Sequence, residues 1–374
     1  MIRNIIAGFL LCLVLQAAGA QQLLTEADAI ARALGNNKNI KASSLEVKQQ
    51  EQLLRGTTNL PNPEFFLESP TGNFYTGSIT QSIEFPTVYS NQRRLQKETV
   101  SLAQKEKQLT SQELIYQVKL LYLEAQFRDS LVSQLYLQDT LYEKIKVSAI
   151  RQFDAGQIDY LQQTFAEIQY GEIHNEYLQA VSRAKASKTQ LQWVTGVNVA
   201  IVLEPLEISG TIMPNEILPD STTLTSNISL QLLQQQTLIA KQNIALQKSK
   251  SLPGLAFGYF NQGERETKWF NRFRLGLTVP LWYGQYKANI NAAKTEQAVI
   301  EFKQQGLRQE LTTQLMNAQS DMQTSLQSLQ YYQETGLKKA REILSVSQRF
   351  FESGEIDFIN LMRNNNEAYS IFQK

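Results

Sequence analysis

The sequence predicts a mainly α fold with a small membrane β-part, built as two structural repeats. Each repeat is a long antiparallel helical hairpin plus two β-strands. Three observations carry this. Arg151-Gln152-Phe153-Asp154-Ala155-Gly156-Gln157-Ile158-Asp159-Tyr160 returns as Arg349-Phe350-Phe351-Glu352-Ser353-Gly354-Glu355-Ile356-Asp357-Phe358. Long heptad-like segments flank both copies, and a proline-bounded pair of alternating segments precedes each long helix.

Gly at the end of a long helix supplies the left-handed residue that lets the chain stop and reverse. Asp159 and Asp357 then restart it as caps or first-turn carboxylates. Each copy therefore reads as the tip of a long helical hairpin, one at 151–159 and the other at 349–358.

Residues 1–20 read as a signal peptide, with Arg3 as the charged start, Ile5 to Leu15 as the apolar core and Ala18-Gly19-Ala20 as the cleavage site. The alternative, a transmembrane helix, needs about 20 apolar residues, and this run is shorter. Cys12 lies inside that segment, so the mature chain has no cysteine for disulfides or thiol chemistry. Thirty-six Lys and Arg against 35 Asp and Glu leave a net charge of +1, which gives nucleic acid no basic surface to meet.

The first repeat covers 21–195. Gln21 to about Arg55 reads as helix, with an interruption at Asn36-Asn37-Lys38-Asn39, and Leu60-Pro61-Asn62-Pro63 breaks it. Strands follow over about 63–86: Glu64 to Glu68, turn chemistry at Pro70-Thr71-Gly72-Asn73, then Ile79, Gln81, Ile83 and Phe85 alternating up to Pro86. The long helix at 88–150 is about 60 residues, or roughly 90 Å at 1.5 Å per residue. Leu95, Leu102 and Leu109 stand at heptad spacing in it. A return helix occupies 158–194. Residues 196–226, with Pro205, Gly210, Pro214 and Pro219, read as an irregular linker.

The second repeat, 227–374, keeps the same order. A helix from Asn227 to Lys250 precedes strands at about 254–280, which are separated by a polar loop over 261–268. The long helix is expected at 285–350, and after the second tip only a shortened return helix remains.

In the strand before Pro280, Phe273, Leu275, Leu277 and Val279 alternate with Arg272, Arg274 and Thr278. A soluble sandwich would use the apolar side as core. A membrane barrel would turn Phe273, Leu275, Leu277 and Val279 to lipid, and Arg272, Arg274 and Thr278 to the lumen. A two-stranded hairpin in each half is too small to bury such a face alone. Four strands do not close a barrel, since about eight is the smallest number that does. A barrel is then shared between subunits, and a trimer supplies twelve strands.

This order of elements resembles the TolC family of outer-membrane efflux proteins, with Phe85-Pro86 and Val279-Pro280 each closing a strand. Phe85-Pro86-Thr87-Val88-Tyr89-Ser90-Asn91-Gln92 is similar to the outer-membrane components of heavy-metal cation RND efflux pumps. The resemblance implies a homotrimer with a 12-stranded outer-membrane β-barrel on an α-helical periplasmic barrel. It implies a passive duct for heavy-metal cations or drugs, in contact with outer-membrane lipid. Its tips (Gly156, Gln157, Ile158, Asp159; Gly354, Glu355, Ile356, Asp357) would dock a periplasmic adaptor (membrane-fusion) protein that joins an inner-membrane RND-type pump.

Family members often place aspartates six and nine residues beyond the second tip Gly, where they ring the periplasmic aperture. Here Asn360 and Arg363 stand at those positions as the aperture candidates, so a cation-binding aspartate ring does not carry over.

His174, the only histidine, has no second soft ligand near it in sequence, and Glu167 and Glu172 fall on helix faces as solvated carboxylates. Phosphate cradles and nucleophile elbows are missing, so neither enzyme chemistry nor a cofactor or metal is expected. The competing function is a soluble periplasmic coiled-coil adaptor or scaffold. It shares the heptads and tips but has no use for the proline-bounded strand pairs.

Overall fold

The computed structural model describes residues 22–69, 72, 75–206, 224–262 and 270–373. The signal segment, parts of the 70–73 turn, most of the 196–226 linker and most of the 261–268 loop lie outside the described residues.

The first repeat holds β1 (Gln22–Leu24), α1 (Glu26–Asn36), α2 (Lys38–Gly56), β2 (Glu64–Glu68), β3 (Thr76–Ile83), α3 (Pro86–Asp154) and α4 (Tyr160–Thr195). β4 (Ile201–Leu203) comes next. The second holds α5 (Ile228–Lys250), β5 (Gly254–Gln262), β6 (Phe270–Thr278) and α6 (Tyr283–Tyr331). A π-helical turn (Tyr332–Gly336), α7 (Leu337–Glu352) and α8 (Phe358–Phe372) complete it.

By packing, the chain forms two compact units, each drawn from both repeats. One comprises Met1–Asn37, Glu113–Leu218 and Asn317–Lys374; the other comprises Lys38–Gln112 and Pro219–Met316.

Three details differ from the sequence reading. Residues 22–24, expected as the start of a helix, form β1, and 201–203, expected as irregular linker, form β4; the two pair in parallel. Leu24, Ile201 and Leu203 bury on one side of this pair while Leu23 stays exposed. The pairing joins segments about 180 residues apart, and no local periodicity reports such a partner. Tyr122 seals it, since its hydroxyl donates to the Leu24 carbonyl at 2.9 Å.

Pro86 opens α3 rather than closing a strand, and β3 ends at Ile83. A proline at the first helical position loses no intrahelical bond, because that N–H has no partner there anyway. The third difference is the π-turn, which interrupts the helix expected over 285–350. Leu337 N–H donates to the Tyr332 carbonyl, five residues back. Gly336 accommodates the Tyr332 ring, where an added Cβ would sit 2.9 Å from Cδ1.

In the first unit the core of α3 runs through Leu114, Val118, Tyr122 and Ala125 at three- and four-residue spacing, with Leu135 buried further along. Alanines at 29, 33, 166, 180, 184, 340 and 368 are buried as well, so its helices pack through small side chains. The second unit relies more on amides. Gln235 Nε2 donates to the Glu98 carbonyl at 3.0 Å and to its Oε2 at 2.7 Å, and Gln96 Nε2 donates to Gln50 Oε1 at 2.8 Å. The Gln- and Asn-rich composition is thus spent partly on fixing helix register.

Candidate functional site: an amphipathic sheet and a paired helical tip

The first feature is a four-stranded antiparallel sheet in the order β2-β3-β5-β6. The two hairpins, one from each repeat, join through β3 and β5, with Ile79 opposite Tyr259 and Gln81 opposite Phe257. β2 and β6 are the free edges of the single chain.

Residues directly opposite one another share a face. One face carries Phe65, Ile79, Tyr259 and Phe273 in one row and Gln81, Phe257 and Leu275 in the next; Ile83, Leu255 and Leu277 form a third. Gln81 is the lone polar side chain in these rows, and its Nε2 donates to the Pro61 carbonyl at 2.7 Å. The other face carries Glu64, Thr80, Gly258 and Arg274, then Phe66, Ser78, Phe260 and Arg272, with Thr278 beside Gly254. The alternation read in one strand therefore extends across three rows of the sheet, while the fourth row of the apolar face is Leu67, Gly77, Asn261 and Asn271.

Among the described residues the apolar face is most open along β6 and the residue after it, while Ile79, Ile83, Leu255 and Tyr259 are half-buried. Phe273 is 84% exposed, Leu275 74%, Leu277 62% and Val279 49%. The polar face has small residues on both β5 and β6 where the strands meet closely. A Cβ on Gly258 would meet Arg274 Cβ at 3.4 Å and Thr80 Oγ1 at 3.5 Å, and one on Gly276 would meet Ala256 Cβ at 3.3 Å. Arg274 also lies over the Phe260 ring at 5.1 Å, an attraction between guanidinium and ring face. Among the described residues no helix is long and apolar enough to cross a membrane.

The second feature is the pair of tips, both in the first unit. Gly156 has φ 70° and Gly354 has φ 77°. Gln157 N–H donates to the Gln152 carbonyl at 2.8 Å and Gly156 N–H to Phe153 at 2.8 Å. Glu355 N–H repeats this to Phe350 at 2.8 Å, and Gly354 N–H to Phe351 at 3.1 Å. Both ends are the six-to-one and five-to-two pattern that closes a helix through a left-handed glycine.

The following aspartates restart the chain. Asp159 accepts from Gln162 N–H at 2.8 Å and its own N–H donates to Gln162 Oε1 at 3.2 Å, a reciprocal box. Asp357 accepts from Asn360 N–H at 2.7 Å.

The two tips share one core. Tyr142, Ile145 and Ala149 of α3, Ala166 of α4, and Phe358 and Met362 of α8 are buried together, with Ile158 and Phe351 against them. Burial pushes the Tyr142 phenol well above its ordinary range, and its hydroxyl donates to Asn366 Oδ1. Asn366 Nδ2 donates in turn to Gln169 Oε1 at 3.0 Å. Ile158 and Ile356 are half-buried, while Gln157 and Glu355 are exposed. Asn360 and Arg363 are exposed on α8.

A pair the sequence reading missed lies on the same hairpin. His174 Nδ1 stands 3.0 Å from Asp139 Oδ1, and its ring stacks on Tyr170 with centroids 5.4 Å apart. His174 and Asp139 are 35 residues apart on opposite arms, so only the hairpin register reveals them. Glu167 and Glu172 are exposed and accept only from neighbouring glutamines, Gln163 at 3.0 Å and Gln169 at 3.3 Å.

Residues 221–362 match the outer membrane efflux protein family. No curated protein sequence matches the chain. Among solved structures, a membrane protein from Pseudomonas aeruginosa is similar at 14% identity and a TM-score of 0.77, covering 92% of this chain and 88% of that one. The Campylobacter jejuni CmeC outer membrane channel gives 12% and 0.75, over 92% and 80%. The outer membrane protein VceC from Vibrio cholerae gives 10% and 0.75, over 92% and 90%. At such identities the likeness shows the fold.

Proposed function

We propose that this chain, whose residues 221–362 match the outer membrane efflux protein family and whose fold is that of such channels, is the outer-membrane duct of a tripartite efflux system. Three copies share their sheets in one 12-stranded barrel, apolar faces to lipid and polar faces to the lumen. The long hairpins continue that barrel as a periplasmic tunnel. An inner-membrane pump and a periplasmic adaptor deliver drugs or heavy-metal cations to it. Conduction is passive.

The observation that carries this is the sheet. Four strands present one largely apolar face and one polar face, and β2 and β6 each pair on one side only among the described residues. A soluble protein would be left with an uncovered apolar face and two aggregation-prone edges. A shared membrane barrel removes both. A soluble adaptor would leave the face unexplained.

The tips supply the docking surface for the adaptor. Their exposed residues Gln157 and Glu355, with half-buried Ile158 and Ile356, lie on a backbone fixed by Schellman closures and aspartate caps. Asn360 and Arg363, solvent-facing on the helix after the second tip, are assigned to the aperture.

Membrane fractionation tests the reading. The protein should sediment with outer membranes, resist carbonate extraction and require detergent for release. Recovery in the soluble periplasmic fraction would support the adaptor reading instead. Site-specific photocrosslinkers at Gln157 and Glu355 should capture the adaptor, and Gly156→Val with Gly354→Val should abolish that capture while leaving the protein in the outer membrane.

A further inference from the structure

β6 is nine residues long, about the length that crosses a bilayer core as a tilted strand. The residues just after it therefore fall in the headgroup layer. There the apolar side of the strand does not stop. Leu281 and Trp282 follow Val279, at 73% and 82% exposure, far above what a protein core would leave. They line a cleft at the strand–helix junction together with Leu252, Tyr286, Glu84 and Lys250.

The charges in this cleft are one of each sign. Lys250, in the last turn of α5, and Glu84, between β3 and α3, are both exposed, and neither has a salt-bridge partner among the described residues. The Glu84 backbone is held by its N–H donating to the Tyr89 hydroxyl at 3.1 Å. On the opposite wall, Gly254 brings β5 against β3, where an added Cβ would lie 3.3 Å from the Ile83 carbonyl. The cleft is built from backbone that is fixed on both sides.

We propose that this cleft binds the headgroup of a zwitterionic aminophospholipid, phosphatidylethanolamine, from the periplasm-facing leaflet. Lys250 takes the phosphate and Glu84 the primary ammonium. The acyl chains run along Leu281, Trp282 and Leu252 onto the apolar face of the sheet, and Tyr286 offers an aromatic ring at the interface depth where such rings are favoured. The two charges decide the class. Phosphatidylglycerol has no cation for Glu84 and leaves that carboxylate unpaired beside a headgroup of net negative charge. Phosphatidylcholine carries a cation without N–H groups and forfeits the hydrogen bond to Glu84. The assignment rests on the reading that the sheet's apolar face meets lipid.

The test uses full-length protein in which Trp193 and Trp269 are replaced by phenylalanine, so that Trp282 is the sole fluorophore. In phosphatidylcholine bilayers containing a minor fraction of acyl-brominated lipid, brominated phosphatidylethanolamine should quench Trp282 several-fold more than brominated phosphatidylcholine or phosphatidylglycerol. Lys250→Glu should bring the three to equality, and so should Glu84→Lys. A second reporter, Leu275→Trp with Trp282→Phe in the same background, should be quenched alike by all three lipids. Equal quenching of Trp282 by all three, with the Leu275→Trp reporter quenched, overturns the headgroup site and leaves the membrane reading intact. No quenching of Trp282 with that reporter quenched means that a second copy of the chain covers the cleft, which also overturns it. A reporter quenched by none of the lipids would remove the membrane reading itself.

Discussion

Gly156 and Gly354 govern the tips through backbone alone. Nothing lies within 4 Å of a Cβ added at either, so a substitution meets no clash and is opposed by the positive φ. Gly156→Ala or Gly354→Ala should therefore cost about 1–2 kcal/mol locally. Hydrogen exchange should accelerate in 151–160 or 349–358 and nowhere else. Tyr142 is a different case, because its neutral hydroxyl is what the tip core holds. With the folded-state phenol raised above the unfolded one by burial, its contribution is complete below about pH 10, the unfolded value. It is lost as pH rises through the folded value. Tyr142→Phe should cost about 0.5–1.5 kcal/mol at neutral pH, since Asn366 loses a donor. The variant's tip should also soften less steeply in alkali than the wild type, as followed by exchange or tip-directed proteolysis. Arg363 is proposed to stand at the aperture. Arg363→Asp should shift the reversal potential of reconstituted channels toward cations, and an unchanged potential would remove it from the aperture.

Among the elements, β6 makes the sharpest claim. Leu275→Arg should cost about 2–4 kcal/mol near the bilayer midplane, while Thr278→Arg on the polar face should be mild. Unfolding titrations in lipid vesicles measure both, and equal losses would mean the faces are misassigned. This alternation was legible because a strand half in lipid writes a period of two into adjacent residues. The tips were legible for a similar reason: Gly156, Gly354 and the aspartates three residues on each state a local backbone requirement. The parallel pairing of β1 with β4 was not, since its partners stand on either side of α3 and α4 and each strand is three residues long. Nor was the π-turn, for which Gly336 inside an otherwise periodic helix was the only mark. The His174–Asp139 pair is a product of register between two arms. Register appears only once the Gly156 turn has fixed which residues of α3 and α4 face each other.

At the scale of the whole molecule, both repeats contribute to each feature, a hairpin apiece to the sheet and a closure apiece to the tip core. That explains why neither half reads as a domain by itself. It also leaves the single chain short of a closed barrel, because a four-stranded sheet with β2 and β6 at its edges falls below the roughly eight strands needed to close. Identical chains are proposed to complete one another, β6 of one pairing with β2 of the next until twelve strands close. Native mass spectrometry of the protein released from outer membranes in mild detergent tests this most directly. A complex of three chains should survive activation sufficient to strip the detergent. A stable, detergent-free monomer as the dominant species would contradict it.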